Sequence, residues 1–423
     1  MNKRSQEPEF GATGQFELTG VYFVDKKADA AFATTLGVER IKTLLLLGAG
    51  PAHLQVLAQL ATHRRSDLDV TLITPWSYST YSNLVPGFVA GEHLLDDCQI
   101  DIRPLLRDSG ARWISARCGG IDAGTHSLML DYGSGGFAAT QTGALSSRPT
   151  LLNYDLLSID TGPCVDRRVP GAAEHALSLW PSEQFVNRWA QALNQLRGQA
   201  GRRFNVTLIG HSAAAVEMAF AVQQGLQTAG VSASVRLLAH GDAVLPGQSS
   251  GMQRRVLAQL RKREIEVVLK PCARVQAGGV LLGDGGALPS DLTLVALQGS
   301  APEWLHHSGL AQDRDGFVLV NASLQSTTHK DVFVASETAR QANRGGQPGI
   351  DGTRAGPDLA LNLLASVTEQ PLTTHNPPDR RLGLIRCGKG HGIAHWGGLS
   401  AEGGWASRWK DKADRAFLAR FRR

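Results

Sequence analysis

The run LLLLGAGPAHLQVL, Leu44 to Leu57, constrains the fold more than any other stretch of the chain. The segment Ile41–Leu47 has the length and flanks of a buried parallel strand. Gly48-Ala49-Gly50 makes a turn, Pro51–His63 continues with helical spacing, and Asp69–Thr74 supplies a second strand at the distance a βαβ unit needs. In such a unit the glycines let the backbone approach a pyrophosphate that rests on the helix N-terminus. The third position, normally glycine because helix and strand pack closely there, holds His53.

A second copy follows. Phe204–Ile209 reads as a strand, and GHSAAAVEMAF, Gly210 to Phe220, places Gly210, Ser212 and Ala215 where three glycines would stand. Val235–Ala239 is the next strand, ahead of HGDAVLPG. Two such units imply two dinucleotide sites, present or ancestral. The second reads equally as an α/β crossover without ligand, because Ser212 sets a side chain where close backbone approach is needed.

At 423 residues the chain exceeds one hydrophobic core, so two or three domains are expected. With 42% hydrophobic and 19% charged residues the composition is that of a soluble globular protein, and 6% aromatics suggest no nucleic-acid partner. Cys98, Cys118, Cys164, Cys272 and Cys387 form no CxxC pair, which excludes a disulfide scaffold and a vicinal dithiol and points to a reducing, cytoplasmic setting. No metal site is expected, since His306 and His307 are adjacent and point apart. Residues 1–40 carry no apolar stretch of signal-peptide length and read as a disordered extension. Thr43–Thr62 is too interrupted by glycine, proline and polar residues to span a membrane.

The net charge of +5 is concentrated at the end, where Asn376–Arg423 holds eleven Lys and Arg against four Asp and Glu. There Trp405, Trp409, Ala413, Phe417 and Phe421 recur at four-residue steps, which predicts a basic helix with one aromatic stripe. The stripe either closes over the protein's own core or docks on an anionic membrane surface, at the inner face of the cell membrane.

YDLLSIDTGP (Tyr154–Pro163), SLQSTTHKDVFVASETA (Ser323–Ala339) and GTRAGPDLALNL (Gly352–Leu363) complete a pattern that resembles the FAD-dependent pyridine nucleotide-disulfide oxidoreductases. Within them the chain is most similar to type II NADH dehydrogenases and sulfide:quinone oxidoreductases, and closer still to the flavoprotein domain fused to selenide, water dikinase. That last branch reads G-G-G-H-x-H at the first turn, and YSNLVPGFVAGEH (Tyr81–His93) and GGLSAEGGWASRWKDKADRAF (Gly397–Phe417) resemble it too. The resemblance implies an α/β fold with two Rossmann-like domains and a C-terminal helical tail. An FAD domain (41–165 and 317–370) is split by an NAD(P)-type domain (166–316) and followed by the basic segment 371–423.

The resemblance also implies site residues. Gly48, Gly50, Pro51, Ala52 and His53 would hold the FAD pyrophosphate, and Thr74, Arg117, Cys118, Thr161 and Gly162 would line the adenosine. Glu337 would hydrogen-bond the ribitol, and Gly356-Pro357 would open a helix at the flavin carbonyl, where a helix N-terminus stabilises the charge of a reduced flavin. Gly210, Ser212 and Glu217 are the candidates for NAD(P)H, the co-substrate left open.

Several positions depart from the family. Thr74-Pro75 stands where an acid grips the adenosine ribose, and Ser336-Glu337 replaces Gly-Asp, so weaker or reversible FAD binding is expected. Ala239 lacks the acid of a nicotinamide ribose site, and His240 follows it. Ser178 and Trp180 occupy the region of the sulfide-oxidising cysteines, and Thr353-Arg354-Ala355 the quinone-side helix. Cys164 reads as a buried, inert thiol. The expected activity is two-electron transfer from a small-molecule donor through flavin to an acceptor such as a quinone. The alternative is a flavin-binding redox partner with a degenerate nicotinamide site, linked to selenium metabolism.

Overall fold

The computed structural model describes residues 40–132, 150–165, 169–199, 201–239, 241, 243–342, 349–378 and 382–422. Lys42–Arg423 is one compact unit. The expectations for the N-terminal extension, Arg40 aside, and for His240 fall outside the described residues.

The first βαβ unit is β1 (Lys42–Leu47), α1 (Pro51–Thr62) and β2 (Leu68–Ile73). Leu44–Leu47 are buried, which is why the strand reads as an unbroken apolar run rather than an alternation. β1 lies between β2 and β3 (Leu156–Ile159), and all pair in parallel. Arg112–Ile114 beside β2 and Val332–Val334 beside β3 complete a five-stranded parallel sheet.

β4 (Phe204–Ile209), α2 (Ala213–Thr228) and β5 (Ala233–Ala239) repeat the unit. Their sheet runs in the order Leu177–Ser178, Leu292–Val295, β4, β5, Glu266–Leu269, again all parallel. Each half also carries a three-stranded antiparallel meander just before the strand that pairs with β1 or β4 (Leu156–Ile159 and Leu292–Val295): Arg117–Asp122, Ser127–Asp131 and Thr150–Asn153 in the first, Cys272–Gln276, Gly279–Leu282 and Ala287–Pro289 in the second. The same topology therefore occurs twice, and the α/β fold with two Rossmann-like halves expected from the two turns is the one observed.

α3 (Gly352–Val367) packs along α1. Past it Leu382–Arg386, Gly392–Trp396 and Leu399–Gly403 form an antiparallel sheet that was not foreseen, and the expected C-terminal helix, α4 (Gly404–Leu418), follows. This module joins both cores. Phe417, Leu418 and Phe421 belong to the same buried cluster as the leucines of β1, while Ile385, Cys387 and Ile393 belong to that of Phe220 and Val222 of α2.

The aromatic stripe of α4 divides. Phe417 stacks on Tyr81 with ring centroids 4.9 Å apart and meets Phe421 edge-on at 5.1 Å, so these two close over the core. Trp405 and Trp409 are 42% and 50% exposed, and Ala413 is exposed with them. The four-residue steps fall behind the true helical period, and one stripe becomes two faces.

Candidate dinucleotide cleft

The parallel strands of the first sheet end on one edge, which brings Gly48, Thr74, Thr161 and Glu337 to that edge from four strands far apart in sequence. The N-termini of α1 and α3 converge there, since a Cβ on Gly352 would lie 3.2 Å from the Ala52 nitrogen. Gly48 has φ +93°, and a side chain on it would collide with the Asp160 carbonyl. A side chain on Gly50 would collide with the Asp160 carboxylate. Both glycines are thus required by close approach, but the group approached is part of the chain.

Asp160 was not foreseen as a site residue. Its carboxylate accepts from Ala52 N at 2.8 Å and His53 N at 2.9 Å, the free amides of the first turn of α1, where Pro51 has none to offer. It is 3% exposed. Burial raises its carboxyl to about 7 against the two amide bonds, and the nearby Glu337 adds to the rise. The signal was present in YDLLSIDTGP, where Asp160 takes the alanine position of the A-T-G pattern.

His53 does not face the cleft. Its ring is buried beneath the turn, Nδ1 2.6 Å from Gly48 O and Nε2 2.8 Å from Ser158 Oγ. A carbonyl only accepts, so Nδ1 carries the proton and Nε2 accepts from the serine hydroxyl. Burial lowers the ring to about 4, partly offset by the Gly48 bond, and it is neutral at physiological pH. The ring fits where glycine was expected because Ser158 of β3 is small and polar.

The remaining first-unit candidates divide by surroundings. Thr161 keeps a buried hydroxyl with no hydrogen-bond partner among the described residues, and a Cβ at Gly162 would meet open space. Glu337 is exposed by surface area, yet it sits in a recess where burial and the charge of Asp351 raise its carboxyl to about 6, against Arg340. The Ser336 hydroxyl does not intrude on the cleft but turns to Thr338 Oγ1 at 2.6 Å. Thr74 is buried, its carbonyl held by the Trp113 indole at 2.9 Å. Arg117 lies 5.9 Å over the Trp76 ring. Burial pushes the Cys118 thiol up to about 12, so it is no nucleophile.

Two expectations need correction. α3 does not open at Gly356-Pro357; it begins at Gly352, capped by Asp351 Oδ1 accepting from Thr353 N at 3.0 Å. Gly356 lies inside the helix, where a Cβ would collide with the side chain of Gln55 of α1, whose amide bonds the Gly352 and Thr353 carbonyls at 3.1 Å. Nor is Cys164 buried. It is exposed, on the antiparallel bridge to Ser300 where the chain crosses between the halves.

In the second unit Gly210 keeps its tight packing, with a Cβ placed 2.7 Å from both Ala215 Cβ and Ala296 O. The Ser212 hydroxyl caps α2 by accepting from Ala215 N at 3.3 Å. Glu217 points elsewhere, accepting from Arg386 N at 3.1 Å and lying 3.9 Å from Lys410 Nζ. Ala239 ends its strand fully buried.

Two parallel sheets, each with a glycine turn leading into a helix at its carboxyl edge, define a protein of two Rossmann-like halves. The chain belongs to the pyridine nucleotide-disulphide oxidoreductase family, whose model matches residues 42–360. Its fold is similar to that of the sulfide:quinone oxidoreductase from the hyperthermophilic bacterium Aquifex aeolicus (TM-score 0.72, 18% identity, 90% of this chain and 91% of that one). It is also similar to NDH2 from Plasmodium falciparum in complex with NADH (0.70, 12%, 89% and 98%). A NAD-dependent persulfide reductase from A. fulgidus matches at 0.66 with 16% identity, over 84% of this chain and 64% of that one.

Membership is consistent with FAD as cofactor and NAD(P)H as co-substrate. The first edge offers FAD two amides at the start of α1, here taken by the Asp160 carboxylate, an unpartnered Thr161 hydroxyl among the described residues, and a second helix N-terminus.

Proposed function

We propose that this oxidoreductase passes two electrons from a reduced nicotinamide nucleotide to a lipid-soluble acceptor of the quinone type. The observation that carries the reading is the convergence of α1 and α3 at Ala52 and Gly352 on the carboxyl edge of the first sheet. FAD, when bound, supplies the two-electron chemistry. The amides of Ala52 and His53 would hold its diphosphate, Glu337 its ribitol, and the N-terminus of α3 would favour the negative charge of the reduced state. The likeness of the first turn and the C-terminal segment to the dikinase-fused flavoproteins supports the same cofactor.

Contact with the membrane belongs to this reading. Trp405, Arg408, Trp409 and Lys412 follow at i, i+3, i+4 and i+7 on α4 and are all exposed, an aromatic and cationic face suited to an anionic lipid surface. Among the described residues no helix is long and apolar enough to cross a membrane.

The test is the visible spectrum of the purified chain with added FAD, before and after anaerobic NADH or NADPH. Bound flavin bands that either nucleotide bleaches are expected. A protein that takes up no flavin overturns the reading. A second reading, a flavoprotein fed by another protein, is favoured by the self-capped Ser212 and the engaged Glu217. It predicts bound flavin that neither nucleotide bleaches.

A further inference from the structure

The repeated topology supplies an internal comparison for Asp160. Asp160 N donates to Leu47 O at 2.9 Å, and Ala296 N donates to Ile209 O at 2.8 Å. In each half the carbonyl of that residue abuts the first glycine of the turn. Asp160 and Ala296 are therefore counterparts, and the fold itself does not call for a carboxylate. The two helices are also closed differently. α2 is capped by its own Ser212, whereas Gly50, the N-cap of α1, has no side chain, and closure comes from a residue 108 positions away.

The Asp160 carboxylate lies on the amides of Ala52 and His53 and against Gly50, where a dinucleotide phosphate would rest. Carboxylate and phosphate cannot share these donors, and their charges repel. Building on the FAD reading above, we propose that Asp160 is a resident self-ligand of the cradle, and that FAD uptake requires this carboxylate to take a proton from solvent and release the two amides.

The groups facing Asp160 decide the pH range. His53, from α1, stays neutral, its ring nitrogens engaged by Gly48 and Ser158. Glu337, beyond Val332–Val334, adds negative charge, with Asp351 at the α3 cap behind it and Arg340 opposing both. With Asp160 titrating near 7, the competent protonated fraction falls about tenfold between pH 6 and pH 8, and apparent FAD affinity falls with it.

The experiment is FAD titration into the full chain at pH 6, 7 and 8, read by quenching of flavin fluorescence, for the parent, Asp160→Asn and Glu337→Gln. The parent should weaken about tenfold over this range. Asp160→Asn, which keeps an acceptor for the α1 amides, should bind more tightly than the parent at pH 8 with a nearly level profile, and Glu337→Gln, which removes a charge that raises Asp160, should keep a pH-dependent loss of affinity but move it to lower pH. Parent affinity that is level with pH overturns the inference without reference to any variant, as does an Asp160→Asn profile that keeps the parent's slope. If neither parent nor Asp160→Asn binds FAD at any pH, the FAD reading itself falls, and the inference with it.

Discussion

Asp160 and His53 are two buried ionisable groups in one turn, and burial moves them in opposite directions. His53 is lowered from 6.5 to about 4, so between these values the unfolded chain binds a proton that the folded one refuses, and stability is lost as pH falls. Asp160 is raised from 3.8 to about 7, so over that interval the folded chain holds a proton that the unfolded one has released, and stability is lost as pH rises. Between pH 4 and 6.5 the two slopes oppose each other and nearly cancel. Asp160→Asn removes one of them. Relative to the parent, its stability should therefore fall on acidification across this window by about 1.4 kcal/mol per pH unit, because the His53 slope is then unopposed. Urea midpoints of both proteins at several pH values test this, and a constant difference between them would show that Asp160 does not titrate in the window. His53→Ala would leave the Gly48 carbonyl and Ser158 hydroxyl short of a partner and open a cavity, at a cost of about 3 kcal/mol measured at neutral pH.

The elements that read most clearly from sequence are those whose signal is local. β1, α1 and β2, and again β4, α2 and β5, follow from apolar runs, glycine turns and helical spacing within about thirty residues. What was not legible depends on residues far apart. Nothing near Ala52 announces that its amide bonds Asp160, and nothing in the glycine-rich stretch 382–403 marks three strands whose Ile385 and Ile393 fill the core of the second half. Gly356 was legible as special but not for the right reason, because Gln55 lies 301 positions before it on another helix. α4 shows the same limit: composition revealed the aromatic residues, but only packing separates Phe417 from Trp409. Phe417→Ala should destabilise the fold by about 3–5 kcal/mol, as measured by chemical denaturation, because it empties a site stacked on Tyr81. Trp405→Ala with Trp409→Ala should shift stability by less than about 1 kcal/mol while abolishing co-sedimentation with anionic vesicles at low salt. Unchanged sedimentation of that double variant would remove α4 as the membrane contact.

Across the whole molecule, the C-terminal module holds the two halves in register. Lys410 is buried, bonding Asp414 at 3.2 Å and the Asn83 carbonyl at 3.3 Å beside Glu217 of α2, and Arg386 joins the same cluster through Glu217 and Asp414. Lys410→Met would leave Glu217 and Asp414 as poorly compensated buried carboxylates, an expected loss of about 3–5 kcal/mol in the unfolding free energy. The two halves joined in this way have kept one topology and diverged at their anion seats. The first retains two amides aimed at one point, now held by Asp160. The second has Ser212 over its own helix, Ala296 opposite the turn, and Ala239 where a carboxylate would grip the nucleotide ribose. A ribose acid is what favours NADH by repelling a 2′-phosphate, so its loss removes the discrimination along with part of the affinity. Flavin reduction by NADH and NADPH should therefore proceed at comparable rates and continue to rise well into the millimolar range of nucleotide, about −4 kcal/mol of binding rather than the −8 of a micromolar site. Stopped-flow absorbance of the FAD-loaded chain against increasing concentrations of each nucleotide measures both quantities, and saturation by micromolar NADH with no response to NADPH would show that the second half still carries a selective site.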